Sequence, residues 1–485
     1  MADSRWRRLI VPVLLAAAFL AAACLLRVPG FDMPLNRDES AYAMIGDQGS
    51  LHLLPYRDFF DNKQPLIYVV YWALAQVAPQ STGAVRLAAA LSGGMAALVL
   101  LALLVPRIGT ARALAAAVTA LVAGATTYVE GYDLNAEHLL IVTATLTILV
   151  ALSLGDSPHR RAPLLVGLFG GVAVLTKAVF ALGALAALVP LLAGRRARGQ
   201  SAAATIAWLA LGFAIPPLVV FAAFALAGAG DAFWQGNIGW NEHYVASGAS
   251  RLSLRSAVAP VGALAALALA FGAARLVLQR GRDVLGLTLL VWLVAAFAGA
   301  KLSGRDFPHY FAPVIPPAAA LLWLPWPRVP RAVPVAAAVL AVAVAIPFAR
   351  DAVRGFGDSG AELSARQYGA GFADVWNRQF EVGELLRSRA RPGDRLFVAG
   401  AEPGFNWASG LPPASPHFFL YDYPDVEADW SAEIHRLLCD HPPRFVITVW
   451  SPLESGCTPP GRYRRLFAHD VPGGRLVVME LAQPR

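Results

Sequence analysis

The sequence predicts a polytopic α-helical membrane protein with a small soluble α/β domain at its C-terminus. Three observations point there. Hydrophobic residues fill 57% of the 485 positions and charged ones only 15%, against about 25% charged in an ordinary soluble domain. Long apolar runs recur from residue 9 to residue 349. Between them, basic residues cluster on every second connection, the charge bias that orients membrane proteins. A formal charge of +8 would on its own suit a nucleic-acid partner, but charge scattered between apolar runs excludes that class.

A helix needs about 20 apolar residues to cross the hydrocarbon core. Candidate spans cover residues 9–26, 83–105, 112–129, 138–154, 163–176, 178–193, 202–227, 257–279, 284–300, 310–325 and 332–349, about eleven in all. Arg5, Arg7 and Arg8 before the first run resemble the start of a signal peptide, but the further spans favour a retained anchor. With the N-terminus cytoplasmic, the cytoplasmic connections hold Arg107 and Arg112, Arg160 and Arg161, Arg195, Arg196 and Arg198, Arg280 and Arg282, then Arg328 and Arg331. The C-terminus then falls outside. This gives a transmembrane domain over 1–349, with a first external loop at 27–82, and an extracytoplasmic α/β domain over 350–485.

Within that last domain, Val375, Val382 and Leu386 form one stripe of an amphipathic helix over 374–390. Leu396-Phe397-Val398-Ala399 reads as a buried strand, residues 428–439 as a helix and 445–449 as a second strand. A hairpin is expected over 463–480, turning at Pro472-Gly473-Gly474. Alternating helices and apolar strands indicate an α/β layer, without a glycine-rich phosphate loop. Three cysteines make neither a disulfide scaffold nor a zinc site. Cys24 lies in an apolar run, while Cys439 and Cys457 both fall in the C-terminal domain, where an oxidising compartment would permit one bond, although spacing alone does not show that the two sulfurs meet.

Chemistry concentrates in the loop after the first span. Charged side chains alternate there with aromatics, and residues 39–49 and 65–78 are expected to form helices along the interface. A solvated loop packed by aromatics is the plainer reading. The pattern Asp38-Glu39-x-x-Tyr42, then Pro55-Tyr56-x-Asp58-x-x-Asp61-x-Lys63-x-Pro65-Leu66, resembles the first external loop of GT-C glycosyltransferases. The branch it resembles holds protein O-mannosyltransferases and lipid A aminoarabinose transferases. Tyr132-Asp133-Leu134-Asn135-Ala136-Glu137, Leu175-Thr176-Lys177 and His309-Tyr310-Phe311-x-Pro313 extend the resemblance across the membrane part. Gln64 departs from the family, which commonly has proline there; the lysine before it is in place. The C-terminal domain is similar only in position and layout.

The resemblance implies a GT-C fold and a sugar donor carried on a polyprenyl phosphate. It also implies transfer at the outer face of a bacterial cytoplasmic membrane, to a polysaccharide, lipid or protein acceptor. Such a transfer needs a base for the acceptor hydroxyl and a cation for the departing phosphate. By analogy Asp38 is the base, and Glu39 either shares that role or orients its neighbour. Tyr42, Tyr56, Asp58 and Asp61 are implied donor or acceptor ligands. Asp133 and Glu137 are four residues apart, one turn if the helix begins there; they form an acidic pocket or only complement a helix N-terminus.

Lysine usage gives an argument independent of any family. The chain has only three lysines among 40 basic residues, Lys63, Lys177 and Lys301, and all fall on the expected external side. A lysine is a compact point charge suited to phosphate, so these three, with Arg305, are candidate lipid-phosphate ligands. His309 and Tyr310 are candidate donor or acceptor contacts, though a lone histidine at a helix start is usually structural. Residues 233–244 form an aromatic and amide-rich segment, either stacking on sugar or belonging to the interfacial belt. No metal motif is present; no cofactor is expected to be required, and a divalent cation remains compatible. A flippase or transporter would put charges at mid-membrane and often show repeats; neither is seen. A non-catalytic envelope assembly protein is the other alternative.

Overall fold

The computed structural model describes residues 2–50, 52–247, 259–419, 427–450 and 461–482. Those residues divide into two compact units. One contains 1–30, 86–224 and 241–357; the other contains 31–85, 225–240 and 358–485.

The first unit is helical throughout. Among the described residues, eight helices of the chain are long and apolar enough to cross a membrane. They include Ala136–Leu154, Ala202–Leu226 and Val284–Lys301. Three expected spans are shorter. The run over 112–129 ends as a helix at Ala123, because Gly124 and the turn to Val129 follow. The 163–176 run is the helix Ala162–Thr176, and 310–325 divides into a 3-10 segment, Pro308–Val314, and Ile315–Leu322. Lys177 breaks the chain with extended backbone (φ −157°, ψ 122°) before a 3-10 turn restarts it.

Helices suit this solvent because lipid offers no partner to a backbone amide. Their packing relies on small residues. A Cβ added at Gly167 would lie 2.3 Å from the Leu209 carbonyl oxygen, and one at Gly212 would lie 2.1 Å from that of Leu164. The helices Ala162–Thr176 and Ala202–Leu226 therefore meet backbone to backbone. Large side chains such as Val335, Val339 and Val342 remain exposed on Ala332–Gly355, as a lipid-facing surface requires.

The second unit carries a four-stranded sheet. Its strands are β1 (Leu396–Ala399), β2 (Phe445–Thr448), β3 (Tyr463–Val471) and β4 (Gly474–Leu481), in the order β1-β2-β4-β3. β1 and β2 are parallel; β4 is antiparallel to both neighbours. The hairpin turns at Gly473, whose φ of 90° suits glycine. The helix expected over 374–390 is two, Ala370–Asn377 and Gln379–Arg387, parted at Arg378. Their Val375, Trp376, Val382 and Leu386 pack with Phe445 and Ile447. The second expected helix is Glu427–Asp440. Cys457 lies outside the described residues, and the bond considered for Cys439 lies outside them too.

The 31–85 segment packs into this same unit. Its helices, Arg37–Gln48 and Leu66–Val77, fall where the sequence placed them. Arg37 Nη2 donates to Glu402 Oε1 at 2.6 Å, and Trp376 Nε1 donates to Glu402 Oε2 at 2.6 Å. Trp407 Nε1 donates to Asp47 Oδ2 at 2.5 Å, and Gln379 Nε2 to the Leu35 carbonyl at 3.3 Å. The C-terminal part thus holds the loop by both ends of one helix.

Candidate active site

In the second unit the site is built on the start of the helix Arg37–Gln48. Asn36 caps it: Glu39 N–H donates to Asn36 Oδ1 at 2.9 Å, and Asn36 N–H donates to Glu39 Oε2 at 3.2 Å. This reciprocal cap leaves Asp38 in the first turn, where the helix dipole favours a carboxylate. Lys63 Nζ lies 3.7 Å from Asp38 Oδ1 and 3.7 Å from Asp61 Oδ1, and donates to Asn62 Oδ1 at 3.1 Å. Asp38 keeps 24% of its side chain exposed, Lys63 12% and Asp61 only 3%. The ammonium thus lies between a partly exposed carboxylate and a buried one, which sets a candidate base beside a compact positive charge suited to phosphate.

The other loop residues shape that cluster. Tyr56 adopts φ 71°, costly for a bulky residue. Its hydroxyl donates to the Lys63 carbonyl at 2.8 Å, and its ring meets Tyr68 and Phe233 edge-on. Tyr42 is buried against Tyr68 and Tyr71, with Lys63 Nζ 6.0 Å from its ring centre. Asp58 accepts from Leu54 N–H and Arg57, at 2.8 Å each, and so fastens a turn. Glu39 is fully buried at its cap, a structural placement for a residue offered as a second base.

Burial pushes the Asp61 carboxyl above the usual carboxylate range, with Lys63 pulling it back. A carboxyl that binds its proton more tightly when folded stabilises the folded state most below its unfolded pKa. That contribution disappears as pH rises from about 4 through the raised value. Asp61→Asn should therefore flatten this part of the pH dependence of thermal unfolding, measured on purified protein. Parallel wild-type and variant curves would contradict the assignment.

The first unit gathers the remaining candidates. Lys177 Nζ bonds Glu137 Oε1 at 2.5 Å and lies 4.5 Å from the Tyr310 ring centre. The Tyr310 and Tyr244 hydroxyls are 2.9 Å apart, and Arg305 lies 4.4 Å over the Tyr244 ring. His309 Nδ1 pairs with Glu130 Oε2 at 2.7 Å, both buried. Lys301 bonds Asp306. Glu130, absent from the sequence reading, sits at φ 51° in a turn. The buried Arg27 ties that turn down, donating to the Gly131 and Gly124 carbonyls at 2.7 and 2.8 Å. An acidic residue before a glycine, next to the Tyr132-Asp133 motif, was the available signal.

One spacing expectation changes. Asp133 and Glu137 do not share a helical turn, because the helix begins only at Ala136 after the Asn135 cap. Asp133 instead pairs with Arg86 at 2.8 Å, the two side chains 0% and 1% exposed. Among the described residues no group of three or more His, Cys, Asp or Glu is placed to hold a metal.

Residues 62–224, about a third of the chain, match the family described as dolichyl-phosphate-mannose-protein mannosyltransferase. No curated protein sequence matches the chain. Among solved structures, the apo form of ArnT from Cupriavidus metallidurans is similar at 17% identity, covering 100% of both chains with a TM-score of 0.59. Its form bound to undecaprenyl phosphate is 16% identical, covers 96% of this chain and 98% of that one, and gives 0.57. Residues 62–224 are thus similar to that mannosyltransferase family, and the chain as a whole shares the fold of ArnT, helical membrane part and sheet domain included.

Proposed function

We propose that the chain moves a sugar from a polyprenyl-phosphate donor to a hydroxyl of a cell-envelope acceptor, with inversion. The observation that carries this is the partly exposed Asp38 carboxylate 3.7 Å from the Lys63 ammonium. Asp38 takes the proton from the acceptor hydroxyl as its oxygen bonds to the anomeric carbon. The bond from that carbon to the phosphate oxygen breaks, and Lys63 neutralises the charge on the departing polyprenyl phosphate. The undecaprenyl phosphate bound to the similar ArnT supports a lipid of that class.

The alternating arginine clusters support a cytoplasmic N-terminus, which puts the reaction on the external face of a bacterial cytoplasmic membrane. On this reading, residues 1–349 are the transmembrane domain, whose first external loop, 27–82, carries the catalytic residues. Residues 350–485 are the extracytoplasmic domain.

The test is reconstitution in liposomes with a panel of labelled polyprenyl-phosphate sugars and membrane extract as acceptor. Transfer from one donor, unchanged by EDTA because Lys63 carries the phosphate charge, is the expected result. Donor moved between leaflets without being consumed would replace the transferase reading with a flippase.

A further inference from the structure

At the other end of the first unit, a cavity of about 510 Å³ lies among helix ends. The helix Ala136–Leu154 reaches both places: Glu137 pairs with Lys177 at its start, and Leu152 lines the cavity, roughly 22 Å further along at 1.5 Å per residue. Arg107, Arg275, Asp156 and Asp283 supply the polar wall, and Leu152, Leu285, Leu324 and Pro190 are among the apolar residues.

Arg275 is 5% exposed. Its Nη2 donates to Asp283 Oδ2 at 2.6 Å, and the other Asp283 oxygen accepts from Gly286 N–H at 2.9 Å. The carboxylate is thus shared between a guanidinium and a helix cap. Arg275 Nε and Nη1 are buried with no hydrogen-bond partner. Such groups in a native protein call for a missing acceptor. Pairing with Asp283 and proximity to a helix C-terminus explain the charge at this position but leave both N–H groups unfilled.

Arg107 lines the same cavity, donating to the Leu103 carbonyl at 2.5 Å; among the described residues it pairs with no carboxylate. Asp156 is largely exposed and faces Arg198 at 3.8 Å. The lining residues Arg107 and Arg275 equal Asp156 and Asp283 in number, but Asp156 is turned to Arg198 and Asp283 is taken by Arg275, which leaves Arg107 without a carboxylate partner among the described residues.

We propose that this cavity is a non-catalytic site for the phosphate of a membrane phospholipid, held by Arg275 and Arg107, with its acyl portion against the apolar wall. A guanidinium presents paired donors that match phosphate oxygens, and basic pockets between membrane helices suit anionic head groups. The apolar residues favour a lipid over free phosphate.

Short-chain phosphatidylglycerol titrated onto detergent-purified protein, followed by native mass spectrometry, tests this. Wild type is expected to retain one lipid, and Arg275→Lys and Arg107→Gln to weaken retention about tenfold or more; Arg107→Gln leaves the Arg275–Asp283 pair intact. Diacylglycerol, which lacks phosphate, should not be retained. Equal retention by the variants, or none by wild type, overturns the proposal. Inorganic phosphate that binds alone and displaces the lipid overturns it in favour of a free-phosphate site.

Discussion

Asp38→Asn is expected to lower sugar transfer about 10²–10⁴-fold, the range for removing a positioned general base, while donor binding persists. Asparagine keeps the size of the side chain and can stay beside Lys63, but cannot take the acceptor proton. The capping pair of Asn36 and Glu39 is untouched, so the helix should form as before. Single-turnover transfer in liposomes, with donor binding measured separately, separates chemistry from binding. Glu39→Gln is the control: its carboxylate serves the cap, so it should affect stability more than rate. Lys63→Ala should also abolish transfer, because the leaving phosphate loses its counter-charge. An Asp38→Asn protein that transfers at the wild-type rate would move the base elsewhere.

Arg86→Met is expected to destabilise the first unit by about 3–5 kcal/mol, the usual penalty for stranding one partner of a buried ion pair. Asp133 has no exposed side-chain surface, so water cannot replace the guanidinium. Arg86 also donates to the Tyr132 carbonyl at 3.0 Å, and that bond is lost too. The pair Arg86→Met with Asp133→Leu should recover much of the stability, since apolar residues of similar volume often replace such pairs at little cost. Denaturant unfolding of the single and double variants measures this. The double variant also decides the role of Asp133: transfer retained makes it structural, while a stable protein without transfer makes it a ligand.

Most helices were legible because lipid enforces a local rule: a spanning segment must satisfy its own backbone, and apolar length reports it. The strands at 396–399 and 445–448 were legible for a related reason, being short apolar runs bounded by turns. Lys63 was legible twice over, in the loop motif and as one of only three lysines. The spacing of Asp133 and Glu137 left the helix start open, and the structure sets it at Ala136, after the Asn135 cap.

Partnerships across long stretches of sequence were out of reach. Glu130 and His309 are separated by 179 positions, and Arg37 and Glu402 by 365. The sequence alone determined the solvent of each segment, the helices and strands, and the loop that carries Asp38 and Lys63. Only the tertiary structure decided which carboxylate each cation meets, and that residues 31–85 join the C-terminal part in one unit. The first set follows from the pattern of neighbouring residues along the chain; the second depends on contacts formed only when distant segments pack together.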